Sequence, residues 1–204
     1  MLLTLLGLGL VVAGSYFLYS NLATKQVVIQ APLSIVKASG KKKTVQQKQA
    51  YAVPPTHPRE LSIPKLGIDA NILSVGAPGG AMGAPTSAWD VGWYDKSALP
   101  GSGKDALLID GHVNDALGTP GIFANLTALA PGDEMDVERG DHRKVSYVVV
   151  KVESVPLQKV DMAAMLRSIQ AGKEGLNLIT CGGTYDYKKK TFDHRTLVFA
   201  VRKE

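Results

Sequence analysis

The sequence predicts a mainly β domain in which about eight short strands, with turn signals between them, form a closed barrel or a sandwich. Three observations support this fold class. Short apolar or alternating runs follow one another from residue 60 onward, turns containing Gly or Pro separate them, and no internal repeat is visible. The expected strands cover residues 60–63, 68–75, 89–94, 106–109, 135–138, 145–155, 176–180 and 196–201.

The apolar runs also indicate which elements are buried. Residues 106–109 (Ala-Leu-Leu-Ile) are continuously apolar, which is typical of a strand covered on both faces. Between the strands the sequence favours two short helices, around residues 123–129 and 161–169. Asp161 is the expected N-cap of the second helix, because its carboxylate can accept hydrogen bonds from the first turn.

The N-terminal part differs from this domain and divides into two segments. Residues 1–24 carry no charged side chain, and the apolar run is long enough for the roughly 20 residues that cross a hydrocarbon core. Because no basic segment precedes the run, an uncleaved transmembrane anchor is favoured over a cleaved signal peptide. Residues 25–59 are polar and end in a Pro-rich stretch, so we expect a tether in which His57 is solvated. The folded domain is then expected at residues 60–204.

The charged residues narrow the classes of function. The net charge is +5, and much of the excess lies in two lysine clusters, 41–43 and 188–190. Aromatic residues are not interleaved with arginine, and a nucleic-acid partner is therefore not expected. Asp133, Glu134 and Asp136 are expected to be solubilising charges rather than calcium ligands. We expect neither a metal site nor a cofactor.

Cys181 is the only cysteine of the chain, so an intramolecular disulfide is impossible. It follows the run 176–180 and precedes Gly182 and Gly183. We therefore expect it at a strand end, where a ligand can approach and backbone N–H groups can face an oxyanion. Since the thiolate is the nucleophilic form, a cationic neighbour would activate it. Taken alone, a lone cysteine is as readily a buried and inert residue.

Two further residues fit a site around this thiol. His112 ends an apolar run beside a glycine, and a histidine can hold or deliver a proton near neutral pH. Arg195 opens the last predicted strand and offers a permanently charged guanidinium with several donors. Antiparallel pairing across the 182–193 loop would bring it to Cys181. Each residue also has a simpler interpretation, as a surface histidine and a solvated arginine, and His194 is the main competitor of His112.

The three residues lie in segments that resemble the sortase family. Residues 178–181 (Leu-Ile-Thr-Cys) resemble the sortase signature of Leu, any residue, Thr and Cys. Residues 111–113 (Gly-His-Val) resemble the family's Gly-His segment, and residues 194–198 resemble its arginine strand. The order His, Cys, Arg matches as well, and the likeness covers residues 61–203. The Cys-Gly-Gly run at residues 181–183 and the compact domain are most similar to the class E and F group, while the lack of an Asp-Pro pair is unlike the pilin-polymerising sortases.

This resemblance implies an eight-stranded sortase barrel and a cysteine transpeptidase. By this likeness Cys181 attacks the Thr carbonyl of a Leu-Pro-any-Thr-Gly-like sorting signal and forms a thioacyl-enzyme, with His112 as general acid and base. Arg195 would bind substrate and stabilise the tetrahedral state, while Thr180 and Gly182 would support the pocket. The implied partners are secreted proteins with a C-terminal sorting signal and an amine of the cell wall or of another protein.

The sequence leaves alternatives open for the cellular location of the domain and for its activity. The resemblance implies a single-pass plasma-membrane protein with its catalytic domain outside a Gram-positive-type cell. However, Lys25 and Lys37 follow the apolar span, and the charge rule alone would place the domain in the cytoplasm. The site chemistry favours the outside. The competing functions are a Cys-His hydrolase of the cell wall and a tethered binding domain without catalysis.

Overall fold

The computed structural model describes residues 51–80 and 82–204. The predicted anchor, residues 1–24, and the predicted tether up to residue 50 lie outside the described residues. Within the described ranges, no helix combines the length and the apolar character needed to span a membrane.

Each predicted strand is present, and together the strands close into one barrel. They follow the order β1-β2-β3-β4-β7-β8-β6-β5 around the barrel. This closed order confirms the predicted barrel and excludes the sandwich. The strands are β1 (Pro58–Ile63), β2 (Ile68–Val75), β3 (Val91–Tyr94), β4 (Ala106–Gly111), β5 (Glu134–Arg139), β6 (Lys144–Pro156), β7 (Gly175–Asp186) and β8 (Thr191–Arg202).

Two of the strand pairings are parallel, β2 with β3 and β4 with β7, and the other six are antiparallel. In the β4–β7 pair, Ile109 aligns with Leu178 and Asp110 with Ile179. Because parallel strands end at the same edge of a sheet, the segments that follow Gly111 and Thr180 meet at one rim of the barrel.

Most of the buried apolar side chains in the described part of the chain fall into two groups. The larger group fills the barrel and includes Leu107, Ile109, Leu178 and Val198. Successive side chains of a strand point to opposite faces, so Leu108 lies outside. There it belongs to a second group on the outer faces of β4, β7 and β8, which consists of Leu108, Met165, Leu197 and Phe199.

One short helix, α1 (Met162–Met165), covers this outer group. Asp161 is its N-cap, as predicted, and the Asp161 carboxylate accepts a hydrogen bond from the Ala164 N–H at 3.0 Å. The helix is shorter than predicted and ends where the buried Asn177 side chain donates to the Met165 carbonyl at 2.9 Å.

The other predicted helix, at residues 123–129, is reduced to a single 3-10 turn, Leu126–Ala128. Pro131 explains its end, since proline disfavours helical backbone at the residue before it, here Ala130.

The described chain contacts the barrel from its first residues. The Tyr51 hydroxyl donates to the Ile72 carbonyl. Arg59 is buried, with its guanidinium 2.7 Å from the Glu138 carboxylate. A buried arginine requires such a partner, so residues 51–59 pack against the barrel.

His57 corrects the sequence interpretation. We expected a solvated side chain, but the imidazole packs edge-on against Trp93, with the ring centroids 5.3 Å apart. The His57 carbonyl also accepts from the Gly140 N–H at 2.9 Å. Polarity and proline content predicted a tether, but they could not reveal that residues 51–57 lie on the barrel.

Candidate active site

Cys181 lies within β7 rather than at a strand end. We expected the strand to stop at Thr180, but β7 continues to Asp186 and pairs with β8 from Thr191 onward. That expectation is wrong because the two glycines form an irregularity in the ladder, between Gly182 and Tyr185, instead of ending it. Gly183 adopts φ 76°, a conformation that favours glycine. Cys181 is partly exposed on this long hairpin.

Arg195 faces Cys181 directly across the β7–β8 ladder. Its guanidinium donates to the carbonyls of Phe192 and His194 at 3.0 and 2.8 Å, and to the Thr191 hydroxyl at 3.1 Å. Guanidinium has five N–H donors, so these bonds hold the group in place and leave donors for a substrate oxygen. The antiparallel pairing that the sequence analysis required is present.

His112 follows the last residue of β4. The β4–β7 register aligns Asp110 with Ile179, and continuing it by two residues aligns His112 with Cys181. The imidazole Nε2 lies 2.7 Å from the Pro85 carbonyl oxygen. Since a carbonyl can only accept, Nε2 carries a hydrogen, and Nδ1 is the nitrogen left to exchange a proton. The structure therefore brings the three predicted residues to one rim of the barrel.

Positions 180 and 182 of β7 face the barrel interior, on the opposite side of the strand from Cys181. The Thr180 hydroxyl donates to the Gly111 carbonyl at 2.7 Å, and this bond ties β7 to the end of β4. A Cβ atom on Gly182 would lie 3.1 Å from the Thr196 hydroxyl oxygen. Both residues therefore support the strands beneath the site and do not line its outer surface.

His194, the competing histidine, lies on the wrong face for Cys181. It aligns with Gly182 on β7, and neighbouring side chains on a strand alternate between faces. Its Nδ1 is 2.8 Å from the Asp193 carboxylate. This placement favours His112 over His194 as the partner of the thiol.

Asp110 is a charged residue near the site that sequence reasoning missed. It lies two residues before His112, and burial raises the pKa of its carboxyl to about 7. Its Oδ1 is buried and has no hydrogen-bond partner among the described residues. The signal in the sequence was a single acidic residue at the end of an apolar strand, directly before the Gly-His pair.

Burial and two neighbouring charged groups set the charge state of the thiol. Burial raises the pKa of Cys181 above its usual value, the Arg195 guanidinium opposes this rise, and the Asp110 charge adds to it. The thiol is therefore held mainly in its protonated form at neutral pH, and the arginine favours the reactive thiolate.

Comparison with known folds places this barrel among sortases. Sortase C-1 from Actinomyces oris is 24% identical, with a TM-score of 0.56 over 79% of this chain and 84% of that chain. Sortase A from Corynebacterium diphtheriae is 22% identical, with a TM-score of 0.55 over 81% and 72%. Sortase C from Clostridium perfringens SM101 is 20% identical, with a TM-score of 0.51 over 75% and 73%. At these identities the likeness establishes the shared fold.

The sequence comparison identifies the family directly. No curated protein is significantly similar to the chain, but the family model described as the sortase domain matches residues 61–203. That match spans the barrel and the segments that carry His112, Cys181 and Arg195. The chain therefore belongs to the sortase family.

Proposed function

We propose that this protein is a membrane-anchored transpeptidase that cleaves a Leu-Pro-any-Thr-Gly-like sorting signal between Thr and Gly. The acyl part of the signal is then transferred to an amine of the cell wall or of another protein. Family membership supports cysteine transpeptidase chemistry in general. The signal, the acceptor and the membrane anchor at residues 1–24 are parts of the proposal, as is an extracellular catalytic domain.

Cys181 is the proposed nucleophile. Its sulfur forms a bond to the carbonyl carbon of the signal Thr, and the C–N bond to the following Gly breaks. His112 takes the thiol proton of Cys181 as the sulfur attacks and delivers it to the departing amine. It later accepts a proton from the incoming amine, which attacks the thioester, and returns it to the freed sulfur. The Nε2 bond to Pro85 supports Nδ1 as the nitrogen in these transfers.

Arg195 is the proposed electrostatic partner of the reaction. Its guanidinium opposes the rise in the Cys181 pKa, and its remaining donors can bind the negative oxygen of the tetrahedral state. Thr180 contributes indirectly, because its bond to Gly111 fixes the end of the strand that precedes His112.

One observation carries the proposal: Cys181 and Arg195 are direct partners in the β7–β8 ladder. A binding domain without catalysis does not require a cation opposite a partly buried thiol. The class E and F assignment rests on the Cys-Gly-Gly run at residues 181–183 and stays a proposal.

A peptide-transfer assay with the full chain tests this function. We expect a peptide that contains a sorting signal to be cleaved, with aminolysis well above hydrolysis when an amine is added. His112→Gln should lower the rate about 10²- to 10⁴-fold, the range typical of a lost general acid and base. His194→Gln is the matched control and should keep most of the rate. Hydrolysis that an amine does not divert would instead indicate the cell-wall hydrolase.

A further inference from the structure

Asp110 lies on the same outer face as the candidate nucleophile. Along β4, Leu108 belongs to the outer group and Ile109 to the barrel interior, so alternation places Asp110 outside. On β7, Ile179 packs against the outer group, and Cys181, two residues later, is on the same face. Asp110 aligns with Ile179, which makes Asp110 and Cys181 diagonal neighbours.

The neighbouring strand makes room for this carboxyl group. Gly92 on β3 is the register partner of Asp110. A Cβ atom on Gly92 would lie 2.4 Å from the Asp110 Oδ1 and 3.1 Å from a ring carbon of Pro85. The carboxyl therefore occupies the space of a missing side chain, next to the segment that holds His112 through Pro85. This packing buries the Oδ1 atom beside the site, although Asp110 as a whole is only partly buried.

Few ionisable groups face Asp110. The two ionisable groups nearest to it along β4 and β7 are His112 and Cys181, and Arg195 lies beyond Cys181 on β8. On β3, alternation around Gly92 puts Tyr94 on the outer face, and Asp90 lies just before the strand. Burial is the largest cause of the raised Asp110 pKa, and its own backbone N–H is the one opposing contribution.

We propose that Asp110 is a positioning residue of the active site, whose negative charge adds to burial in favouring the thiol form of Cys181 and so limits its reactivity. This inference rests on the proposed function, because it concerns the proposed nucleophile. Arg195 and Asp110 act on the sulfur in opposite directions. The pKa of the Asp110 carboxyl is about 7. Its negative charge, and with it the effect on the thiol, is therefore mostly absent in mildly acidic solution and mostly present in mildly alkaline solution.

Alkylation of the full chain by iodoacetamide tests the proposal. Cys181 is the only cysteine, so the rate reports on that sulfur alone. At pH 8, Asp110→Asn should react roughly three- to tenfold faster than the unchanged protein. Removing a nearby negative charge lowers the pKa of a thiol by up to about one unit, which increases the fraction of thiolate. At pH 5 the two rates should agree, since Asp110 is then mostly neutral in the unchanged protein.

A matched variant separates this effect from a general change in charge. Asp136→Asn removes the same charge from β5, where Asp136 accepts from the Ser146 hydroxyl at 2.7 Å, and should leave the alkylation profile unchanged. Coinciding profiles for Asp110→Asn and the unchanged protein at every pH would overturn the proposal. So would an equal acceleration by Asp136→Asn.

The unchanged protein provides a second measurement that does not depend on folding of a variant. Its logarithmic alkylation rate should rise less steeply with pH around pH 7 than below or above, because ionisation of Asp110 there suppresses the thiolate. A constant slope through this range would contradict the proposal. Failure of the proposed function would look different: Cys181→Ala would keep full transfer activity, whatever the alkylation profiles show.

Discussion

The Thr180 hydroxyl joins the two strands that carry the candidate nucleophile and the candidate acid. It donates to the buried Gly111 carbonyl at 2.7 Å, one residue before His112 on β4. The sequence resemblance implied a supporting role for this threonine, but it did not reveal which group the hydroxyl contacts. Only the parallel pairing of β4 with β7 reveals that its side chain points inward and bonds the neighbouring strand.

Thr180→Val tests this role, because valine keeps the shape of threonine and removes the hydroxyl. The Gly111 carbonyl would then be buried without its partner, which costs about 1–3 kcal/mol of unfolding free energy. Denaturant unfolding measures the loss. Thr127→Val is the control, since Thr127 is exposed and should change stability by less than about 0.5 kcal/mol. Equal effects of the two changes would show that the Thr180 bond contributes nothing.

Asp110 shows why sequence patterning missed part of the site. In residues 106–111, all residues apart from Asp110 are apolar or glycine. The polarity pattern therefore does not show which positions point outward. The outer face became identifiable once Leu108 was seen to pack with Leu197 and Phe199. The catalytic candidates were easier to predict, because their residue types and order carry the chemistry.

The β7–β8 hairpin is the element that sets the geometry of the site. The lengths of β7 and β8 were underestimated, because residues 182–190 (Gly-Gly-Thr-Tyr-Asp-Tyr-Lys-Lys-Lys) resemble a loop. Cross-strand aromatic packing extends the ladder instead: Tyr185 pairs with Phe192, with ring centroids 5.2 Å apart. The β7–β8 pairing therefore continues on both sides of the Cys181–Arg195 pair and holds these two residues opposite each other.

Gly183→Ala should disturb this hairpin. Gly183 has φ 76°, and a Cβ atom there would lie 2.1 Å from the Asp193 Oδ1. Backbone strain of about 1–3 kcal/mol and this clash should together lower stability and shift Arg195 relative to Cys181. We expect both the transfer rate and the melting temperature of this variant to be lower than those of the unchanged protein.

Gly172→Ala is the matched control for that change. Gly172 has a similar φ of 78°, but a Cβ atom there would meet nothing within 4 Å. It should carry the backbone strain alone and keep the transfer rate. If both variants lost transfer activity to the same extent, the contact with Asp193 would not explain the effect.

The barrel as a whole brings together residues that are distant in the chain. Strand positions, the N-cap at Asp161 and the order of the three candidates were predictable, because they depend on local patterns. Which strands pair was not, since the parallel contact between β4 and β7 joins segments separated by β5, β6 and α1. Long-range pairing of this kind leaves no local signal, and the family resemblance implied the eight-stranded barrel but not this parallel pair.

Mass spectrometry of the intact chain, incubated with a sorting-signal peptide, tests the central claim most directly. We predict a mass increase equal to the acyl part of the peptide, located on Cys181 and released by an added amine. Cys181→Ala should form no adduct. An identical adduct on the unchanged protein and on Cys181→Ala would contradict the account, because the acyl group would then be carried by another residue.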